Sequence, residues 1–256
     1  MKKTICNFLL PAAVLLLAAA CTREIKTARV ADEGVIALEG YEDTGCSWTY
    51  SMDYVTGGVS REVMDKMNLA IIQSATGSDV DDTSTDVPAS CLQWVDGIDA
   101  EYSEYSGEIL ANLAEDDSPW MLNWSYAVDG SFTTGCKARK LITYSSASDS
   151  YTGGAHGSNY VAYLVFDLTT GELVTESDLF REGFEADIAE PLYDKILEGL
   201  DEELWEAIYE VPMPNGNFSV SEEGLTWLFN TYEIGPYVLG PQIASFTWAE
   251  LEPYLK

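Results

Sequence analysis

The plainest pattern in the chain lies over 47–55 (SWTYSMDYV), where Trp48, Tyr50, Met52 and Tyr54 recur at every second position and predict a strand buried on one face. Gly57 and Gly58 end it. Ser60 then stands as an N-cap, and Val63, Met67, Ala70 and Ile71 follow at helical spacing to about Ser74. An acidic stretch rich in Ser and Thr over 77–90 reads as loop, and Tyr102, Tyr105, Ile109, Leu110 and Leu113 mark a second amphipathic helix over 101–114. Pro119 precedes a predicted strand over 120–128, with Asp129 and Gly130 as a hairpin signal.

Strands predicted over 137–146 and 160–168 flank the glycine-rich piece 151–157 (YTGGAHG). The second of them is apolar at both parities, which points to burial on both faces and a central place in its sheet. A turn at 167–172 (DLTTGE) leads to Ser177, which opens a mostly helical stretch to Tyr209, interrupted at Pro191 and Gly199. A loop over 212–217, a long strand over 225–234 (LTWLFNTYEI) and a final helix to Leu255, capped by Thr247 with Glu250, complete the chain. Strands mixed with separate helices imply an α+β fold of mainly antiparallel sheets with packed helices. Two intimately associated subdomains are expected, over 46–148 and 149–256.

The amino terminus changes the picture from a globular domain to an exported one. Lys2 and Lys3 precede an apolar run over 8–20 (FLLPAAVLLLAAA) that ends in small residues before Cys21, the anatomy of a secretory signal peptide over 1–21. The run is shorter than the roughly 20 residues that a bilayer core requires. Cleavage there would leave Cys21 to carry a diacylglycerol, so membrane contact is expected through a lipid anchor only, and the protein in the bacterial cell envelope, facing the periplasm. The polar stretch 22–45 reads as a flexible tether. In that compartment Cys46, Cys91 and Cys136 are free to form a disulfide, with one left over whichever pair forms. Their spacing matches neither a redox pair nor a zinc cluster, and no metal or cofactor is expected.

The formal net charge is −30 with 43 acidic residues, and two of the 13 basic ones fall in the leader. Nucleic acid is excluded as a partner, because affinity for it rests on neutralising phosphates. The charge serves solubility, and it also steers a cationic partner toward the surface.

Three pieces in this order, 151–157 (YTGGAHG), 167–171 with 178–180 (DLTTG, then DLF) and 232–240 (YEIGPYVLG), give the second half its character. They resemble the secreted domain of unknown function found in the extracellular part of RsiV-type anti-sigma factors and in an accessory region of PdaC-type peptidoglycan deacetylases. An anti-sigma role would need a cytoplasmic segment ahead of the apolar run, and a deacetylase a second domain with an Asp and two His. A single histidine is present. What the resemblance implies is binding: in RsiV-type relatives this part senses lysozyme.

Gly153 and Gly154 permit positive φ and a sharp turn whose amides, next to Ala155, face a small concavity, with His156 at its far side. Either this loop recognises a carboxylate or glycan oxygen, or it is a tight β connection whose imidazole bonds a neighbouring strand. Strand alternation puts Glu233 on the face of Leu225, Trp227 and Phe229, where its carboxylate needs partners, and the amides of the 153–156 loop are the expected ones. Pro236 and Tyr237 form a rigid turn that lays an aromatic across the motif, so Tyr232 and Tyr237 either stack on sugar faces or belong to the core. With no second carboxylate placed against Glu233, no catalytic residue is assigned. The expected function is a noncatalytic module for a protein or glycan partner, a lysozyme-like cationic enzyme or peptidoglycan. The alternative is a cell-wall glycan hydrolase using Glu233 and His156.

Overall fold

The computed structural model describes residues 24–77, 83–114 and 118–256. The expected signal peptide, Cys21 and the first residues of the tether lie outside the described residues. Five strands build the larger sheet: β1 (Lys26–Ala37), β2 (Gly45–Gly57), β3 (Trp124–Cys136), β4 (Leu141–Tyr151) and β5 (Ser158–Asp167). Their order in space follows the chain, and every pair is antiparallel except β2 with β3. A parallel pair needs a crossover, which α1 (Arg61–Thr76) and α2 (Val87–Asn112) supply. The Ser60 side chain accepts the Val63 N–H at the start of α1, and Asp86 accepts from Ala89 at the start of α2. Tyr50, Met52, Val55, Val128, Tyr144 and Phe166 from the sheet form one core with the apolar stripes of both helices.

The smaller lobe contains α3 (Glu176–Leu179), α4 (Phe184–Glu198), β6 (Phe218–Val220), β7 (Gly224–Phe229), β8 (Gln242–Thr247) and α5 (Trp248–Leu251). Its antiparallel sheet runs β6-β7-β8 and closes over Phe180, Phe184, Ile188, Leu192 and Ile196. Leu141 and Val165, on the face of the larger sheet away from its helices, join this second core. Between them Thr143 is fully buried; its hydroxyl accepts the Val220 N–H at 2.9 Å and lies 3.3 Å from the Val220 carbonyl. The fold is α+β, with two mostly antiparallel sheets whose lobes share apolar and polar contacts. No helix among the described residues is long and apolar enough to cross a membrane.

Several boundaries differ from the sequence reading, each for an identifiable reason. Half of the expected tether is β1, paired with β2 along its whole length; its exposed positions mix Thr27, Arg29 and Glu33 with Ala31, Val35 and Ala37, which hid it. The larger sheet continues to Asp167, past the expected division at 148. α2 starts at Val87, because Val87, Cys91, Trp94 and Ile98 carry the buried stripe that Tyr102 continues. Asp129 and Gly130 sit mid-strand in β3: a Cβ at Gly130 would overlap the Tyr144 hydroxyl, so this glycine makes room rather than a turn. β5 is at the edge of the larger sheet, not its centre; its second face is covered by the smaller lobe. Pro191 lies inside α4 without ending it, and β7 stops at Phe229 rather than Ile234. Cys46, Cys91 and Cys136 are all buried, free thiols. Burial pushes the Cys46 and Cys91 thiols up to about 12.

Candidate functional site

The loop joining β4 to β5 turns as its glycines require, with Gly153 at φ 91° and Gly154 at φ 102°. Gly153 also passes close to the Met121 carbonyl, and the Tyr151 hydroxyl donates to the Gly154 carbonyl at 3.0 Å. Beyond exposed Ala155, His156 is exposed, with Nδ1 2.9 Å from the Gly157 carbonyl. A carbonyl only accepts, which assigns the proton of the neutral imidazole to Nδ1 and leaves Nε2 to accept from the Tyr232 hydroxyl, 3.3 Å away.

Tyr237 stacks on the imidazole, centroids 5.0 Å apart at 22° between planes, and Tyr232 lies 5.8 Å from Tyr237 at 43°. The two tyrosines are 53% and 51% exposed, so the cluster is a surface feature and not core. Three rings from two motifs 76 residues apart thus form one platform.

The turn that brings Tyr232 there is costly to the backbone. Leaving β7, the chain reverses at Asn230, where the Glu233 N–H donates to the Asn230 carbonyl at 3.1 Å. Tyr232 takes the third position with φ 75°, a conformation usually left to glycine. A side chain held in that region costs about 1–3 kcal/mol, and such strain gathers at functional positions. Pro236, with φ −70° and ψ 165°, then sets the short 3₁₀ turn Tyr237–Leu239 that presents Tyr237.

Glu233 is not where strand alternation put it. It is exposed on the turn, and its carboxylate accepts from Asn215 Nδ2 at 2.8 Å and Asn230 Nδ2 at 3.2 Å, not from the 153–156 amides. The bond between the two motifs that Glu233 was expected to make is made by Tyr232 and His156.

Asparagines also finish the edge of β5. Asn230 accepts the Val161 N–H at 2.8 Å, Asn217 accepts the Tyr163 N–H at 2.8 Å, and both donate to the Val161 carbonyl, at 3.1 and 2.9 Å. Two buried side chains thereby stand in for a neighbouring strand over Val161–Tyr163, ahead of the stretch where Leu173 and Val174 bridge the end of β5. They also fasten the Asn230–Glu233 turn to the larger sheet, which fixes the platform.

Two clefts flank Tyr160, whose side chain lines both. One, of about 510 Å³, is walled by Val211, Met213, Asn215 and Phe229 with Glu210 and Glu233. The other, of about 430 Å³, runs beside Tyr237 and Val238 with Asp149, Asn159 and Pro241. Burial, and then the charge of Glu233, raise the Tyr160 hydroxyl above the usual phenol range.

Of the residues singled out in the sequence, Gly153, Gly154, Ala155, His156, Tyr232, Pro236 and Tyr237 come together in one place, with Glu233 beside them on the Asn230 turn. Sequence reasoning missed Tyr160, Asn215, Asn217 and Asn230. The Asn-Gly-Asn run at 215–217 signals a turn, but nothing in a single sequence marks its amides as partners of Glu233 or β5. Among the described residues no group of three or more His, Cys, Asp or Glu is placed to hold a metal ion.

Residues 177–249, from α3 into α5, match the family described as "Protein of unknown function (DUF3298)". A DUF3298 family member from Bacteroides fragilis has a similar structure, with TM-score 0.78 and 19% identity over 91% of this chain and 94% of that one. A DUF3298 family protein from Pseudomonas aeruginosa PAO1 aligns with TM-score 0.60 and 15% identity over 91% and 95% of the two chains. No curated protein matches the sequence. At these identities the likeness is one of fold, and it extends well beyond the matched segment into the larger sheet.

Proposed function

We propose that this chain is a lipid-anchored protein of the bacterial envelope whose folded body is a noncatalytic binding or sensing module. The observation that carries the reading is the platform of His156, Tyr232 and Tyr237: half-exposed rings, held by a strained turn and by asparagine bonds to the larger sheet. Rings fixed in advance lose little freedom when a flat partner surface covers them, which is how binding sites gain affinity. Candidate partners are a lysozyme-like cationic enzyme, drawn by the acidic surface, and peptidoglycan, whose sugar faces suit aromatic stacking. The resemblance to the extracellular part of RsiV-type factors and to the accessory region of PdaC-type enzymes supports the same reading.

The hydrolase alternative finds less support. Both carboxylate oxygens of Glu233 are engaged by the amides of Asn215 and Asn230, and among the described residues no second carboxyl is placed against it as a hydrolase pair would need. His156 has one ring nitrogen against the Gly157 carbonyl and the other against Tyr232. Calorimetric titration of the body with hen-type lysozyme and with muropeptides tests the proposal. Binding of either that weakens at least tenfold in Tyr237→Ala supports it; no binding of either, or glycan turnover that stops in Glu233→Gln, overturns it.

A further inference from the structure

The chain distributes its charges unevenly. Over 141–180 there is no Lys or Arg, and over 196–255 there is again none, while the second stretch carries eleven acidic residues. These two stretches supply every residue that lines the two clefts. The face around Tyr160 therefore holds carboxylates and no side-chain counter-ion of its own, unlike α1 or α4, where Lys66, Arg181 and Lys195 pair with neighbouring acids.

The larger cleft adds shape to that charge. Glu233 is held by two asparagine amides, neither of which carries a charge. Among the described residues no hydrogen bond or ion pair engages Glu210. Beside the acids the walls combine the amides of Asn215 and Asn217 with apolar and aromatic side chains, of which Tyr160 is 49% exposed, Val211 46% and Met213 46%. Tyr209, 66% exposed, continues the apolar surface along the same segment. Exposed apolar and aromatic surface alongside two carboxylates in one cleft matches a side chain with an aliphatic stem and a cationic head.

We infer that this cleft is a docking surface for an extended segment of a basic protein, and that it takes up the stem and head of one lysine or arginine side chain between Tyr160 and Glu210/Glu233. The inference deepens the proposed binding role by placing the cationic side chain beside the aromatic platform rather than on it. Charge complementarity selects the occupant. A neutral glycan would gain nothing from the two carboxylates and would leave them desolvated.

The test titrates the folded body with an acetylated, amidated pentalysine at physiological salt, where screening over about 8 Å removes most of the pull of distant acids. Binding should weaken at least tenfold in Glu233→Gln, in Glu210→Gln, which breaks no bond of the fold, and in Tyr160→Ala. Glu104→Gln and Glu185→Gln, on α2 and α4, change the net charge equally and should leave it within twofold. Equal losses in all four Glu→Gln variants would mean diffuse attraction and would overturn the docking surface, as would a pentalysine that does not bind. A muropeptide that competes with pentalysine and depends on Glu233 in the same way would assign the cleft to glycan and also overturn it. Tyr237→Ala separates the two levels. Loss of lysozyme or muropeptide binding there, with pentalysine titrations negative, would refute the cleft alone; pentalysine binding with no Tyr237-dependent partner would refute the platform alone.

Discussion

The asparagine edge of β5 makes a quantitative prediction about coupling. In Asn230→Ala the Val161 N–H loses its acceptor, and in Asn217→Ala the Tyr163 N–H loses its own. A backbone donor left without a partner costs about 1–3 kcal/mol, and because Val161 and Tyr163 are only partly buried the lower part of that span applies, about 1–2 kcal/mol for each variant. The Val161 carbonyl accepts from both asparagines, so each single variant leaves it one donor and the double variant leaves it none. The double variant should therefore fall below the sum of the singles by about 1 kcal/mol. Equilibrium urea unfolding of the four proteins, with unchanged m-values, measures the coupling. Strict additivity, or single variants within about 0.3 kcal/mol of the parent, would refute the claim that these side chains act as a substitute strand.

Three further outcomes follow from the same structure. Tyr232→Gly should be more stable than Tyr232→Ala by about 1 kcal/mol, the reverse of the usual order, because only glycine relieves the left-handed backbone; thermal melts in which alanine equals or exceeds glycine would remove the strain. Cys46 and Cys91, buried and held up at about 12, should stay unlabelled by a thiol reagent at pH 8 until denaturant is added, and rapid native labelling would contradict their placement. Glu250 is held down at about 2 by the Thr247 cap and Lys195, so its contribution to stability is complete above the ordinary glutamate range and is lost as pH falls from there toward 2. The gap in melting temperature between the parent and Glu250→Gln should accordingly shrink across that window, and a gap that persists at pH 2 would reject the assignment.

How much of this was legible in the sequence depended on whether the signal was local. The α1 cap at Ser60, the Thr247–Glu250 capping box, the period-2 pattern of β2 and the positive-φ glycines at 153 and 154 are short-range chemistry, and all are found as expected. β1 escaped notice because its outer positions mix Thr27, Arg29 and Glu33 with Ala31, Val35 and Ala37 while the other parity includes Asp32 and Gly34, leaving no clean period of two, and the Asp129–Gly130 pair misled because the demand on Gly130 comes from Tyr144 on the next strand. The site was legible as a meeting of motifs: the 151–157 loop and the 232–240 segment do touch. The contact itself was misassigned. Alternation carried the strand past Phe229 and made Glu233 its agent, whereas the Asn230 turn rotates Tyr232 onto His156 and sends Glu233 to Asn215. Nothing local forces a tyrosine into a left-handed turn, so that feature belongs to the tertiary structure alone.

The central claim is that the His156–Tyr232–Tyr237 platform receives the partner. His156 is the only histidine in the chain, so its ring protons give an NMR signal that needs no assignment and sits between the two tyrosines. Titration with lysozyme or with muropeptides, whichever binds by calorimetry, should shift or broaden that signal in step with saturation. Saturable binding that leaves the histidine signal unmoved would place the partner elsewhere and contradict the account.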